Sequence, residues 1–231
     1  MHNKKHLFFD LDKTIWDFDF NANVVLQELF HKSSVYQSKA ILFSDFQAVY
    51  SEINHKLWRD LRNGKIDKAY LRSNRFHLTN LYFSIDDKML AKQLDEEYLE
   101  KTPAQKQLIS YAKPVLFLLK RRYQLHILTN GFEDVQHFKL NNCGLSEFFT
   151  TVVTSDRAEA CKPQKEIFEF ALKQAQAKSS ESVMIGDDFE VDILGADQVG
   201  IVPIFFNREK QEKIEHSYPE INCLSSLLEL L

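Results

Sequence analysis

Cysteine and glycine are both scarce in this chain, long apolar runs are missing, and so is any excess of one charge. The three cysteines, Cys143, Cys161 and Cys223, form no Cys-x-x-Cys pair. That excludes a disulfide framework and a thiolate zinc site, and it predicts a reducing, cytoplasmic setting. Of six glycines, only Gly64 precedes residue 131. Tight turns are therefore rare in the first half, which is expected to be helical after its opening strand. The apolar run behind Lys4 and Lys5 covers only Leu7 to Phe9 before Asp10 stops it, too short for a secretory leader. No segment approaches membrane-spanning length, so no membrane partner is expected. Net charge is -4 without a long basic run, which argues against a nucleic-acid partner.

What is present is a globular composition, 44% hydrophobic and 27% charged over 231 residues, enough for one core and a smaller domain. Apolar residues recur at helical spacing in three stripes: Val25, Leu26, Leu29 and Phe30; Phe46, Val49, Ile53, Leu57 and Leu61; Ile85, Met89, Leu90, Leu94 and Tyr98. Gly64 is placed to end the second of these helices and Asp86 to cap the third. After about residue 104 the texture changes. Strands are expected at 123–131, 149–155, 181–188 and 200–207, with helical patterns at 133–142, 164–177 and 190–198 between them. The tail "LSSLLELL" reads as a short amphipathic helix. Alternating strands and helices imply a parallel sheet covered on both faces, joined by the opening strand at 6–10. The fold class is therefore α/β: a Rossmann-like core from residues 1–16 and 104–231, interrupted by an inserted α-helical cap at 17–103.

The opening strand runs straight into "DLDKT". Two carboxylates two residues apart, with a hydroxyl close behind, suggest a site for a cation and an electrophile. In open parallel sheets ligands bind at the carboxyl ends of strands, and other strand ends add polar groups there. Thr129 and Asn130 close "LHIL", Asp187 and Asp188 follow Gly186, Asp192 comes four residues after Asp188, and Lys162 precedes Pro163. Taken singly, each has a plain reading as a turn, a cap or a helix start. Jointly they converge on one end of a buried sheet.

The set resembles the haloacid dehalogenase superfamily of phosphohydrolases, over nearly the whole chain. The four motifs stand in order as "DLDKT", "ILTNG", "CKP" and "GDDFEVD". The resemblance implies Mg²⁺ as cofactor, held by Asp10, Asp187 and the backbone carbonyl of Asp12. It implies Asp10 as nucleophile, Asp12 as acid and base, and Thr129, Asn130 and Lys162 around the phosphoryl oxygens. Asp192 would orient Lys162, and Asp188 would support the metal or its waters. The physics agrees: a carboxylate ~4 Å from a phosphate charge is repelled by roughly 4 kcal/mol at an effective dielectric near 20, and a bridging cation reverses that sign. Dehalogenases lack the second aspartate, so Asp12 favours phosphate chemistry, with a phosphomutase still open.

Within the superfamily, "FFDLDKTIWDFDFNA", "LWRDLRNGKI", "ILTNGF" and "CKPQKEIFEFAL" look like the bacterial pyrimidine 5′-nucleotidases that act on noncanonical nucleoside monophosphates. The implied partner is a small phosphorylated metabolite, with the chain a monomer or homodimer. Trp16 and Phe18 could stack on a base, worth roughly 1–3 kcal/mol per contact, and Arg59, Arg62 and Asn63 could meet its polar edges or the sugar. Trp58 fits a core position better. Competing readings are a sugar-phosphate or glycolate phosphatase, a phosphomutase, and a phosphate-sensing protein without turnover.

Overall fold

The apolar run at the start of the chain becomes β1 (His6–Phe9), with all four residues buried. A computed structural model describes residues 3–208 and 216–231. The chain divides into two compact units, one built from the chain up to Phe18 and from Lys106 to Leu231, the other from Asp19 to Gln105.

The second unit is helical. Its elements are α1 (Phe18–Lys32), α2 (Ser34–Ser38), α3 (Phe43–Arg62), α4 (Lys68–Tyr82) and α5 (Lys88–Lys101). The predicted stripe Val25, Leu26, Leu29 and Phe30 is buried. In α3 the buried line is Phe46, Tyr50, Asn54 and Leu57, in steps of four, four and three residues. Gly64 follows that helix at a φ of +68°, where a side chain would be strained. Two expectations are corrected at α5. The cap is Asp87, whose carboxylate accepts from Leu90 N at 2.9 Å, not Asp86. Met89 then falls in the exposed first turn, and the buried stripe is Ala91, Leu94 and Tyr98. Rings of Phe30, Tyr36, Phe46, Tyr50, Phe76 and Tyr98 pack edge to face and stacked through the interior.

The first unit is the α/β core. Its remaining strands are β2 (Gln124–Thr129), β3 (Phe149–Thr154), β4 (Ser182–Gly186), β5 (Val202–Phe206) and β6 (Glu220–Ile221). All pair in parallel, in the order β3-β2-β1-β4-β5-β6. Side chains alternate across β1. Leu7 and Phe9 join a cluster with Val115, Leu116 and Leu119 of α6 (Ala112–Leu119), while Phe8 packs oppositely with Ile167, Phe168 and Ala171. Each such side chain fully buried contributes roughly 1.5–3 kcal/mol. The other core helices are α7 (Glu133–Asn142), α8 (Ser155–Ala158) and α9 (Lys165–Gln174). The pattern at 190–198 resolves into a π-helical turn over Phe189–Leu194 and a short helix over Gly195–Asp197. Leu224 and Leu227 of the tail are buried against the sheet. Among the described residues no helix is long and apolar enough to cross a membrane.

β1 lies between β2 and β4, where the strand order reverses direction. That switch point places the residues after β1, β2 and β4 side by side. The pairing continues one step past β1, with Asp10 N donating to Ile185 O at 2.9 Å.

Candidate active site

Lys162 is the hub of the polar groups gathered at that strand end. Its ammonium donates to Asp10 Oδ1 and Asp192 Oδ1, each at 2.6 Å, and to Leu128 O at 2.8 Å. Three acceptors satisfy its three N–H bonds, which a lysine only 1% exposed requires. Burial works against its charge, but Asp10 and Asp192 outweigh burial and hold its pKa above the ordinary lysine value.

Asp10, Asp187 and Asp192 offer carboxylate oxygens that all lie within 4.8 Å of one another. Asp10 is raised to about 7, chiefly by burial, with Lys162 opposing and the charges of Asp192 and Asp12 adding to the rise. Asp187 is raised well above its ordinary value by burial and by the charges of Asp10 and Asp192, with a hydrogen bond from Thr14 opposing. Thr14 Oγ1 donates to Asp187 Oδ1 at 3.0 Å. Fully ionised, three carboxylates outnumber one ammonium. Such a site retains protons or takes a cation. An all-oxygen donor set with surplus negative charge fits a hard divalent ion. Asp192 is the least available ligand of the three. Its Oδ1 holds Lys162 and its Oδ2 accepts from Asp188 N at 3.2 Å.

Asp12 stands beside this cluster. Lys139 Nζ donates to its Oδ1 at 2.6 Å and Gln136 Nε2 to its Oδ2 at 2.8 Å. Thr129, at the end of β2, accepts from Gly131 N at 3.1 Å and from Gln136 Nε2 at 2.7 Å. With its oxygen accepting two bonds, its own proton is left to donate to a ligand.

Several of the expected residues have partners within the protein. Asn130 uses both ends of its side-chain amide on the Lys162 backbone, accepting from Lys162 N at 2.7 Å and donating to Lys162 O at 3.0 Å. That pairing locates the lysine. Asp188 caps the π-helical turn, accepting from Val191 N at 3.0 Å. The Trp16 ring is fully buried within the core unit. Lys139 Nζ lies 4.3 Å from its ring centroid, and Phe18, half-buried, packs at 6.2 Å. It is a floor under Lys139, not a free face for a base. Arg62 ends α3 and Asn63 is its C-cap, both in the helical unit.

Sequence reasoning missed Gln136 and Lys139. They sit three residues apart on one face of α7, both buried. The one available signal is that "EDVQHFKLNN" has only three strongly apolar residues, Val135, Phe138 and Leu140. A helix between two buried strands with so thin an apolar face must bury polar side chains.

A family model described as haloacid dehalogenase-like hydrolase matches residues 4–200. The pyrimidine 5′-nucleotidase YjjG of Escherichia coli is 32% identical over 97% of this chain and 96% of its own length. The pyrimidine 5′-nucleotidase PynA of Streptococcus pneumoniae is 32% identical, covering 98% and 94%. Among solved structures, YfnB of Bacillus subtilis bound to magnesium superposes with a TM-score of 0.87 at 28% identity, covering 99% of both chains.

Proposed function

Because the chain belongs to the haloacid dehalogenase-like hydrolases, we propose that it is a Mg²⁺-dependent phosphomonoesterase that acts on small nucleoside 5′-monophosphates through an aspartyl-phosphate. The observation that carries this reading is the buried hub at Lys162, which ties Asp10 to Asp192 with Asp187 alongside. The preference for nucleotides follows the two 5′-nucleotidase relatives that align end to end. The three free cysteines suit a cytoplasmic enzyme.

Asp10, Asp187 and the backbone carbonyl of Asp12 would hold the ion. Bound there, Mg²⁺ offsets the charge that otherwise repels a phosphate ester from a carboxylate. Asp10 attacks phosphorus, forming a carboxyl–phosphorus bond as the ester oxygen departs. Asp12 gives that oxygen its proton, then takes one from the water that cleaves the aspartyl-phosphate, which restores both residues. Thr129 donates its hydroxyl proton to a phosphoryl oxygen, and the Lys162 ammonium offsets the developing charge.

A panel of nucleoside 5′-monophosphates and sugar phosphates, assayed for released phosphate, tests the proposal. Nucleotides should turn over fastest, chelator should stop the reaction, and Mg²⁺ should restore it. Hydrolysis indifferent to chelator, or no phosphate from any compound with any divalent ion, would overturn it. A hexose phosphate consumed without phosphate release would make the enzyme a mutase instead.

A further inference from the structure

Lys139 is a cation in the last turn of α7 and only 4% exposed. Burying an unpaired ammonium costs several kcal/mol, and a methionine of similar length would fill the same space without that cost. Its ammonium meets one carboxylate oxygen, Asp12 Oδ1 at 2.6 Å, and two ring faces, Trp16 at 4.3 Å and Phe18 at 5.9 Å. Gln136, fully buried one turn earlier, is equally specific. Its Nε2 donates to Asp12 Oδ2 and to Thr129 Oγ1, while its Oε1 has no hydrogen-bond partner. Turning the amide over would set that oxygen against the Asp12 carboxylate, so the orientation is fixed by charge. The space for it exists because residue 131 is glycine: a Cβ there would collide with the Gln136 amide.

We propose that Lys139 and Gln136 are the positioning residues of Asp12, with the Trp16 ring as the floor on which Lys139 is seated. The proposal rests on the reading of Asp12 as the acid and base. A planar carboxylate held at both oxygens has its plane fixed, and one amide nitrogen sets that plane relative to the hydroxyl of Thr129. The group that serves the leaving oxygen and the group that grips the phosphoryl oxygen are thereby aligned through a single side chain. Neither Lys139 nor Gln136 is assigned contact with the substrate.

The test compares Lys139→Met with wild type and with Asp12→Ala, using uridine 5′-monophosphate and p-nitrophenyl phosphate with Mg²⁺. Methionine keeps the stem over Trp16 and removes the charge. Misplacing a catalytic group by ~1 Å costs up to about 100-fold. Lys139→Met should therefore lower kcat on uridine monophosphate by roughly 10- to 100-fold, with KM within about 2-fold. p-Nitrophenolate leaves without a proton, so its release in the first turnover should change by less than about 3-fold. In the Asp12→Ala background, adding Lys139→Met should cost nothing further, because the lysine acts through the aspartate. Equal losses on both substrates, or a further loss in the Asp12→Ala background, would assign Lys139 to general structure and overturn the proposal. A normal Lys139→Met beside a crippled Asp12→Ala would overturn it while leaving the role of Asp12 intact. A normal Asp12→Ala would overturn both. If Lys139→Met does not fold, Lys139→Leu, which also removes the charge and leaves Gln136 and Thr129 untouched, carries the same comparison.

Discussion

At the scale of single residues, the site is a problem of charge. Four carboxylates, Asp10, Asp12, Asp187 and Asp192, meet two buried ammonium groups, Lys139 and Lys162. Placement depends on small residues as much as on charged ones. A Cβ at position 186 would collide with the Asp192 carboxylate, which is held by Lys162 on one oxygen and Asp188 N on the other. Gly186→Ala should therefore destabilise the protein by about 1–3 kcal/mol and lower kcat, measured by urea unfolding and phosphate release. Unchanged unfolding and turnover would mean that Asp192 moves without consequence. The motif residues Asp10, Asp12, Thr129, Lys162 and Asp187 could be picked out of the sequence because their types and order are distinctive. The partners of Trp16, Asn130 and Asp188 are not legible in the sequence, because position gives proximity to a site but not which way a side chain turns. For Lys139 the thin apolar face of α7 is the only local sign, and it does not say which residue the ammonium meets: Asp12 lies 127 positions away.

At the scale of elements, buried strands announce themselves as apolar runs, and β1 through β5 could be located from the sequence on that basis. β6 is two residues long, too short for any periodicity, and α6 is a strongly apolar segment, "AKPVLFLL", of only two turns. Asp86 and Asp87 are adjacent, so the sequence alone does not select the cap of α5; geometry does, since Asp87 reaches the Leu90 amide. β1 and β2 also share an unusual pair. His6 Nδ1 lies 3.1 Å from His126 Nε2, and His126 Nδ1 lies 2.8 Å from Thr151 Oγ1. Burial, and secondarily His6, push His126 down to about 4. Burial also lowers His6, with Glu181 raising it and Lys5 lowering it further. An unfolded histidine takes a proton near pH 6.5, so between there and about 4 the unfolded chain binds more protons and stability falls as pH falls. The shift at His126 corresponds to roughly 3 kcal/mol, fully lost below the folded value. Urea midpoints at pH 7 and about 4.5 should thus differ less in His126→Phe than in wild type. Equal acid losses in both would show that the pair does not stay neutral in the fold.

At the scale of the whole molecule, a single topological fact organises the chemistry. A parallel sheet whose order reverses beside β1 brings the ends of β1, β2 and β4 together; three of the four motifs stand at those ends, and Lys162, from the segment between α8 and α9, reaches in to Asp10 and Asp192. Alternating strands and helices made that architecture visible from sequence, because burial on both faces forces near-continuous apolar strands. What sequence could not give was the layer behind the motifs, where α7 reaches back to Asp12, since such contacts follow from packing and not from spacing. The central claim is that Asp10 becomes covalently phosphorylated. The most direct measurement is acid quenching of the Asp12→Asn variant during turnover of a nucleoside monophosphate, followed by mass mapping of the phosphorylated peptide. An acyl phosphate on Asp10, released by hydroxylamine and absent in Asp10→Asn, is the predicted result. Phosphate on another residue, or steady hydrolysis by Asp10→Asn, would contradict it.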